Sequence, residues 1–135
     1  MNNSRRDDDC KKIKLLLVDD EQGYVDILAK RLTKRNFEVT KALSGTEAIK
    51  ALRKQDFDVA VLDLKMEDMD GIEVLKIFKK MAPELSVIML TGHGSEQAAR
   101  DGLAQGAFDY LTKPCELEEL IAKIHEACGG GKAGD

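Results

Sequence analysis

Strand-length apolar runs alternate with helix-period segments five times along this chain, and that alternation leaves few ways to fold. Leu15-Leu16-Leu17-Val18, Val59-Ala60-Val61-Leu62 and Val87-Ile88-Met89-Leu90 are apolar without a break, as strands buried on both faces are. Ile13 to Val18 reads as the first strand, Phe37 to Ala42 as the second, and Phe108 to Thr112 as a short last one. Between the first two, Val25, Leu28, Ala29 and Leu32 recur at helical spacing and form one face. Ser44 followed by Glu47 is a capping box for a second helix, with Ala48, Ile49 and Leu52 as its apolar positions. Val74, Leu75, Phe78 and Met81 line a third, which Pro83 ends. Ser95 is expected to cap a fourth helix from Glu96 to Ala104, whose apolar face is thin: Ala98, Ala99 and Leu103. Leu117, Leu120, Ile121, Ile124 and Cys128 mark the fifth. Parallel strands joined by helices pack through right-handed crossovers, so the predicted class is α/β, a doubly wound five-stranded parallel sheet.

The predicted domain spans residues 12–128. Residues 1–11, with Asp7-Asp8-Asp9 and no apolar period, read as a disordered arm, and the glycine-rich 129–135 as a flexible tail. A net charge of -4 speaks against nucleic acid as the main partner, because a phosphate-binding face needs basic excess. No apolar run nears the roughly 20 residues of a membrane span, so no membrane insertion is expected. The 3 cysteines are scattered and odd in number, which suits neither a disulfide framework nor a zinc site. Reduced thiols and a cytoplasmic location follow as the expectation.

The ends of the runs carry the chemistry. Asp19-Asp20 follow the first strand, Asp63 the third, Thr91 the fourth, and Lys113-Pro114 the fifth. In an open parallel sheet, ligands bind outside the carboxyl ends of the strands, where strand order reverses. Three carboxylates, a hydroxyl and an ammonium gathered there suit Mg²⁺ (or Mn²⁺) and a phosphoryl group. Mg²⁺ takes one or two carboxylates and keeps several waters. Asp19 and Asp20 are adjacent, so their side chains diverge; one can bind the ion and the other a coordinated water. Asp63 would complete the cluster, and three like charges so close repel until a cation arrives. An Asp carboxylate can attack phosphorus to form an acyl phosphate, with Lys113 and Thr91 covering the phosphoryl oxygens. Each residue alone is unremarkable: Asp19-Asp20-Glu21 would suit a helix N-terminus, and Thr91-Gly92 a loop opening. The combination is what carries the reading.

Together, Val18-Asp19-Asp20-Glu21, Val61-Leu62-Asp63-Leu64-Lys65-Met66, Met69-Asp70-Gly71, Leu90-Thr91-Gly92 and Tyr110-Leu111-Thr112-Lys113-Pro114 resemble the CheY-like receiver domain of two-component response regulators. The stretch Gly106 to Pro114 is most similar to receivers of nitrogen-regulation-type activators. The resemblance implies a flavodoxin-like (βα)5 sheet in the order 2-1-3-4-5. It implies phosphorylation of Asp63 by a sensor histidine kinase or a histidine phosphotransfer protein. Asp20, Asp63 and the Lys65 backbone carbonyl would bind Mg²⁺ directly, and Asp19 through water. Thr91 and Tyr110 would be the switch pair, and the Lys113–Pro114 peptide would be cis. The fourth helix, fifth strand and fifth helix would form the output face, toward a downstream protein target or a homodimer formed on phosphorylation. Lys65 and His93 would tune dephosphorylation. Glu67 is a departure, because many relatives have Pro there, and it bears on the stiffness of the loop and the lifetime of the acyl phosphate. His125, on the last helix, reads as a surface residue.

The function implied is a self-dephosphorylating switch rather than a turnover enzyme, either as a phosphorelay intermediate or as the receiver of a larger transcriptional regulator. Three other readings compete. An aspartyl-phosphate phosphatase needs a second carboxylate as acid and base, where this chain has Lys65. A dinucleotide site needs a glycine-rich turn after the first strand, where Asp19-Asp20-Glu21 would repel pyrophosphate. A docking protein that is never phosphorylated stays open at this point.

Overall fold

The structure, a computed structural model, describes residues 12–92 and 94–130. The readings for residues 1–11, for His93 and for 131–135 of the tail lie outside those residues. Five strands, Ile13–Val18 (β1), Phe37–Ala42 (β2), Val59–Asp63 (β3), Ser86–Thr91 (β4) and Asp109–Thr112 (β5), form one parallel sheet. Their order is β2-β1-β3-β4-β5, as the resemblance implied. Five helices connect or follow them: Gln22–Lys34 (α1), Gly45–Lys54 (α2), Gly71–Met81 (α3), Glu96–Ala104 (α4) and Leu117–His125 (α5). A wide turn, Glu126–Gly130, continues α5, so Gly129 and Gly130 of the predicted tail belong to it.

The central strands carry the unbroken apolar runs because helices cover both of their faces. Alternate side chains point to opposite faces of a strand. Leu15, Leu17, Val59, Val61, Ile88 and Leu90 therefore meet Val25, Leu28 and Leu32 of α1 and Leu120, Ile121 and Ile124 of α5. Leu16, Val18, Ala60, Leu62, Val87 and Met89 meet Ala48 and Leu52 of α2 and Val74, Leu75 and Phe78 of α3. The chain leaves β1 for β2 on one side, then returns to β3 on the other, so strand order reverses between β1 and β3. Register aligns Val18 with Leu62, Asp63 with Leu90 and Thr91 with Thr112. The residues that follow these strands share one rim at that reversal.

Helix starts follow local chemistry. Ser44 Oγ accepts from the Glu47 N–H at 3.0 Å, while Glu47 Oε1 accepts from the Leu43 N–H at 2.9 Å, one residue earlier than a standard capping box. Asp70 Oδ1 caps α3 by accepting from the Ile72 N–H at 2.9 Å. The next residue must be glycine: a Cβ on Gly71 would sit 2.5 Å from the Leu64 Cα.

Four details differ from expectation. Ser95 precedes α4 with no capping bond from its side chain, because its backbone is not extended there (ψ 24°). Gly102, not Leu103, packs inward, since Met89 lies so close that a Cβ would be 2.1 Å from its sulfur; Leu103 is 39% exposed. Met81, in the last turn of α3, is exposed. Phe108 pairs through its N–H with the Val87 carbonyl (2.8 Å) but precedes β5, at the open edge of the sheet, and its side chain is exposed.

Candidate functional site

Asp19, Asp20 and Asp63 each bring a carboxylate oxygen to within 4.8 Å of the others at the reversal of strand order. Asp19 is fully buried. Its Oδ1 accepts from the Glu21 N–H at 3.0 Å and its Oδ2 accepts from Lys113 Nζ at 2.8 Å, so both oxygens have donors. Asp20, half-buried, accepts from the Glu67 N–H at 3.0 Å through Oδ2. Asp63 is 6% exposed and accepts from the Lys65 N–H through Oδ1 at 3.3 Å. Its Oδ2 stands 3.7 Å from Lys113 Nζ.

Lys113 reaches this cup from the loop after β5. Its N–H donates to the Thr91 carbonyl at 2.6 Å, and the following peptide to Pro114 is cis. The ammonium lies 4.7 Å from the centre of the Tyr24 ring and 3.7 Å from Glu21 Oε1. Thr91, the last residue of β4, is buried at the same rim.

Burial and like charge dominate the electrostatics. Desolvation, then the neighbouring Asp19 charge, push the Asp63 carboxyl from 3.8 up to about 6, against the pull of Lys113 and the Lys65 amide. Burial would lower the Lys113 ammonium, but its bond to Asp19 and the charges of Asp63 and Asp19 outweigh that, and its pKa is raised. One ammonium among three carboxylates leaves a net negative cup, with oxygen donors only. A hard divalent cation suits such a donor set. Among the described residues, Asp20 and Asp63 each keep one oxygen without a hydrogen bond, whereas Asp19 keeps none.

The other predicted residues are placed as follows. Lys65 is exposed, with its backbone bridged to Asp70 across the base of the loop after β3. Tyr110 is half-buried on β5 and packs against the core layer under α2 and α3. His125 is exposed on α5, with its ring 5.7 Å from that of Phe37.

Two features of the site escaped the sequence. Asp68 accepts from the Gly45 and Thr46 N–H groups (3.0 and 3.1 Å) and from Thr46 Oγ1 (3.1 Å), which ties the loop after β3 to the first turn of α2. The Gly45 amide, with those of Thr46, holds its carboxyl below the usual range. The other is the Glu67 N–H on Asp20. Both bonds link residues more than twenty apart, so no local pattern signals them.

Residues 15–125 match the family of response regulator receiver domains. This chain belongs to that family. The receiver is 38% identical over 117 residues to the transcriptional regulatory protein GlrR of Escherichia coli (strain K12), covering 87% of this chain and 26% of that protein. It is 37% identical over 111 residues to the DNA-binding transcriptional regulator NtrC of Proteus hauseri, covering 82% and 24%. The receiver thus spans about a quarter of the length of the curated relatives it matches. Among solved structures it is similar to a response regulator receiver domain protein from Clostridium thermocellum, with a TM-score of 0.85, 33% identity, and 91% and 99% of the two chains covered. It is also similar to the receiver domain of NtrX from Brucella abortus, with a TM-score of 0.81, 30% identity, and 86% and 98% covered. The likeness to nitrogen-regulation-type receivers is borne out. Receivers of response regulators are signalling switches that take phosphoryl groups from histidine kinases.

Proposed function

We propose that this receiver is switched by phosphorylation of Asp63, with Mg²⁺ (or Mn²⁺) held by Asp20, Asp63 and the Lys65 carbonyl and by Asp19 through water. The observation that carries the reading is the pairing of a nearly buried Asp63 with an ammonium 3.7 Å away, at the rim of the central strand. An Asp63 oxygen attacks phosphorus in line, forming the O–P bond as the P–N bond of a phosphohistidine breaks. The imidazole leaves with the electron pair and takes a proton. Lys113 pairs with one phosphoryl oxygen, for which it moves off Asp19, and the Thr91 hydroxyl donates to another. When bound, the divalent ion supplies positive charge against the carboxylates and the transferring group.

Thr91 moving toward the phosphoryl group leaves space that the Tyr110 ring fills from its half-buried place, which alters the face made by α4, β5 and α5. The packing of α4 supports that role: only Ala99 and Gly102 are buried, so little is lost when the helix shifts. The receiver acts as a switch and not a turnover enzyme: Lys65 stands where an aspartyl-phosphate phosphatase carries its acid–base carboxylate. Its phosphodonor is a sensor histidine kinase or a histidine phosphotransfer protein in the cytoplasm. Among the described residues no helix is long and apolar enough to cross a membrane. The output partner is a protein that reads the α4-β5-α5 face, a second phosphorylated copy included. The names of GlrR and NtrC favour transcription as the output where the receiver acts within a larger regulator. Binding of beryllofluoride with Mg²⁺ tests the switch: shifts of the α4 and β5 amides support it, and shifts confined to the cup refute it.

A further inference from the structure

The Glu67 main chain makes a bond that a proline in its place would lack the N–H to make. The Glu67 amide nitrogen lies 3.0 Å from Asp20 Oδ2, across the cleft from the loop after β3. The loop that presents it is held at several points. The Lys65–Asp70 bridge and the bond from the Gly71 N–H to the Leu64 carbonyl (3.2 Å) close its base. Next to Glu67, Asp68 places both oxygens on the Gly45 and Thr46 amides of α2. Met69 fills the space beside Gly45 so tightly that a Cβ there would be 2.9 Å from its sulfur. The Glu67 side chain is exposed and has no hydrogen bond or ion pair among the described residues.

We propose that the Glu67 main-chain N–H is a positioning group for the cation site. Anchored through Asp68 to α2, it engages one oxygen of Asp20 and leaves the other for the divalent ion. The proposal rests on the reading of Asp20 as a cation ligand. A half-exposed Asp side chain otherwise samples several rotamers, and binding an ion must then restrict it. A hydrogen bond already made restricts it beforehand. The acting atom belongs to the backbone, so the effect follows the N–H and not the carboxylate of Glu67.

Glu67→Pro and Glu67→Ala both lose that carboxylate, and only the first loses the N–H. Calorimetric titration of the full chain with MgCl₂ near neutral pH compares them, with Asp20→Asn as a third arm. Glu67→Pro is expected to bind Mg²⁺ about five- to tenfold more weakly than Glu67→Ala, within what ordering one free side chain costs on binding. Equal binding by the two, with binding lost in Asp20→Asn, overturns the positioning role and leaves the cation site standing. Parent-like binding by Asp20→Asn overturns both. If circular dichroism shows that Glu67→Pro does not fold, Asp68→Ala decides, because it keeps the N–H and removes its anchor. It is expected to weaken Mg²⁺ binding about threefold, a fraction of the loss of the direct bond, and to speed hydrogen exchange at the Glu67 amide. Parent-like affinity and exchange in Asp68→Ala overturn the proposal.

Discussion

Replacing Asp63 with Asn is expected to make the metal-free receiver more stable, although it removes the proposed phosphoacceptor. Folding raises the Asp63 carboxyl from 3.8 to about 6, chiefly through burial and the Asp19 charge. A raised acid pKa means that the folded chain holds a proton more tightly than the unfolded one. Stability from this group is therefore present at low pH and declines as pH climbs from about 4 to about 6, then levels off. At about 1.36 kcal/mol per pK unit, the ionised carboxylate opposes folding near neutral pH by at most about 3 kcal/mol. Asn keeps an oxygen for the Lys65 N–H and carries no charge, so the gain is about 1–3 kcal/mol once partial screening is allowed for. Urea unfolding in EDTA, followed by far-ultraviolet circular dichroism, measures it. The advantage of Asp63→Asn is expected to be about 2 kcal/mol larger at about pH 7.5 than at about pH 4.5, where parent Asp63 is mostly protonated. A pH-independent difference, or a less stable Asn variant near neutral pH, would refute the electrostatic account of the cup.

The same carboxyl sets the pH dependence of cation binding. Mg²⁺ affinity is expected to be level above about pH 7 and to fall up to tenfold per unit below about pH 6, because Asp63 must release its proton; calorimetry that finds no pH dependence contradicts this. Gly71→Ala places a Cβ against the Leu64 backbone and is expected to lose about 2–3 kcal/mol of stability. Gly102→Ala meets the flexible end of the Met89 side chain, with Ile72 Cδ1 next at 3.4 Å, and is expected to lose less, so chemical denaturation should rank the two in that order. Lys65→Ala and His93→Ala are each expected to change the rate of acyl-phosphate decay by more than they change Mg²⁺ affinity. Unchanged decay of the phosphorylated form in both variants removes them from any role in water access.

What was legible in the chain divides by the range of the interaction. The buried face of α1, Val25, Leu28, Ala29 and Leu32, was readable because helical period alone decides it. The unbroken runs of β1, β3 and β4 announced strands covered on both faces, and the rule for parallel sheets placed Asp19, Asp20, Asp63, Thr91 and Lys113 together. The strand order came from resemblance, since residue patterns do not encode which strand lies beside which. Leu103 and Phe108 were misjudged for one reason. Hydrophobicity says that burial is favourable, but a short helix and an edge strand offer too little cover for it. The Glu67 and Asp68 bonds were invisible because one uses a backbone N–H, which every residue but proline carries, and the other caps a helix from a loop distant in sequence. They bear directly on how Asp20 and the loop after Asp63 are held, and only the fold brings the partners together.

The most direct test is chemical. The receiver is incubated with acetyl phosphate and MgCl₂, the acyl phosphate is trapped by borohydride reduction, and the modified residue is located by peptide mass spectrometry. One modification at Asp63, absent without Mg²⁺ and absent in Asp63→Asn, is the predicted result. Modification elsewhere on the parent chain, or equal labelling of Asp63→Asn, contradicts it.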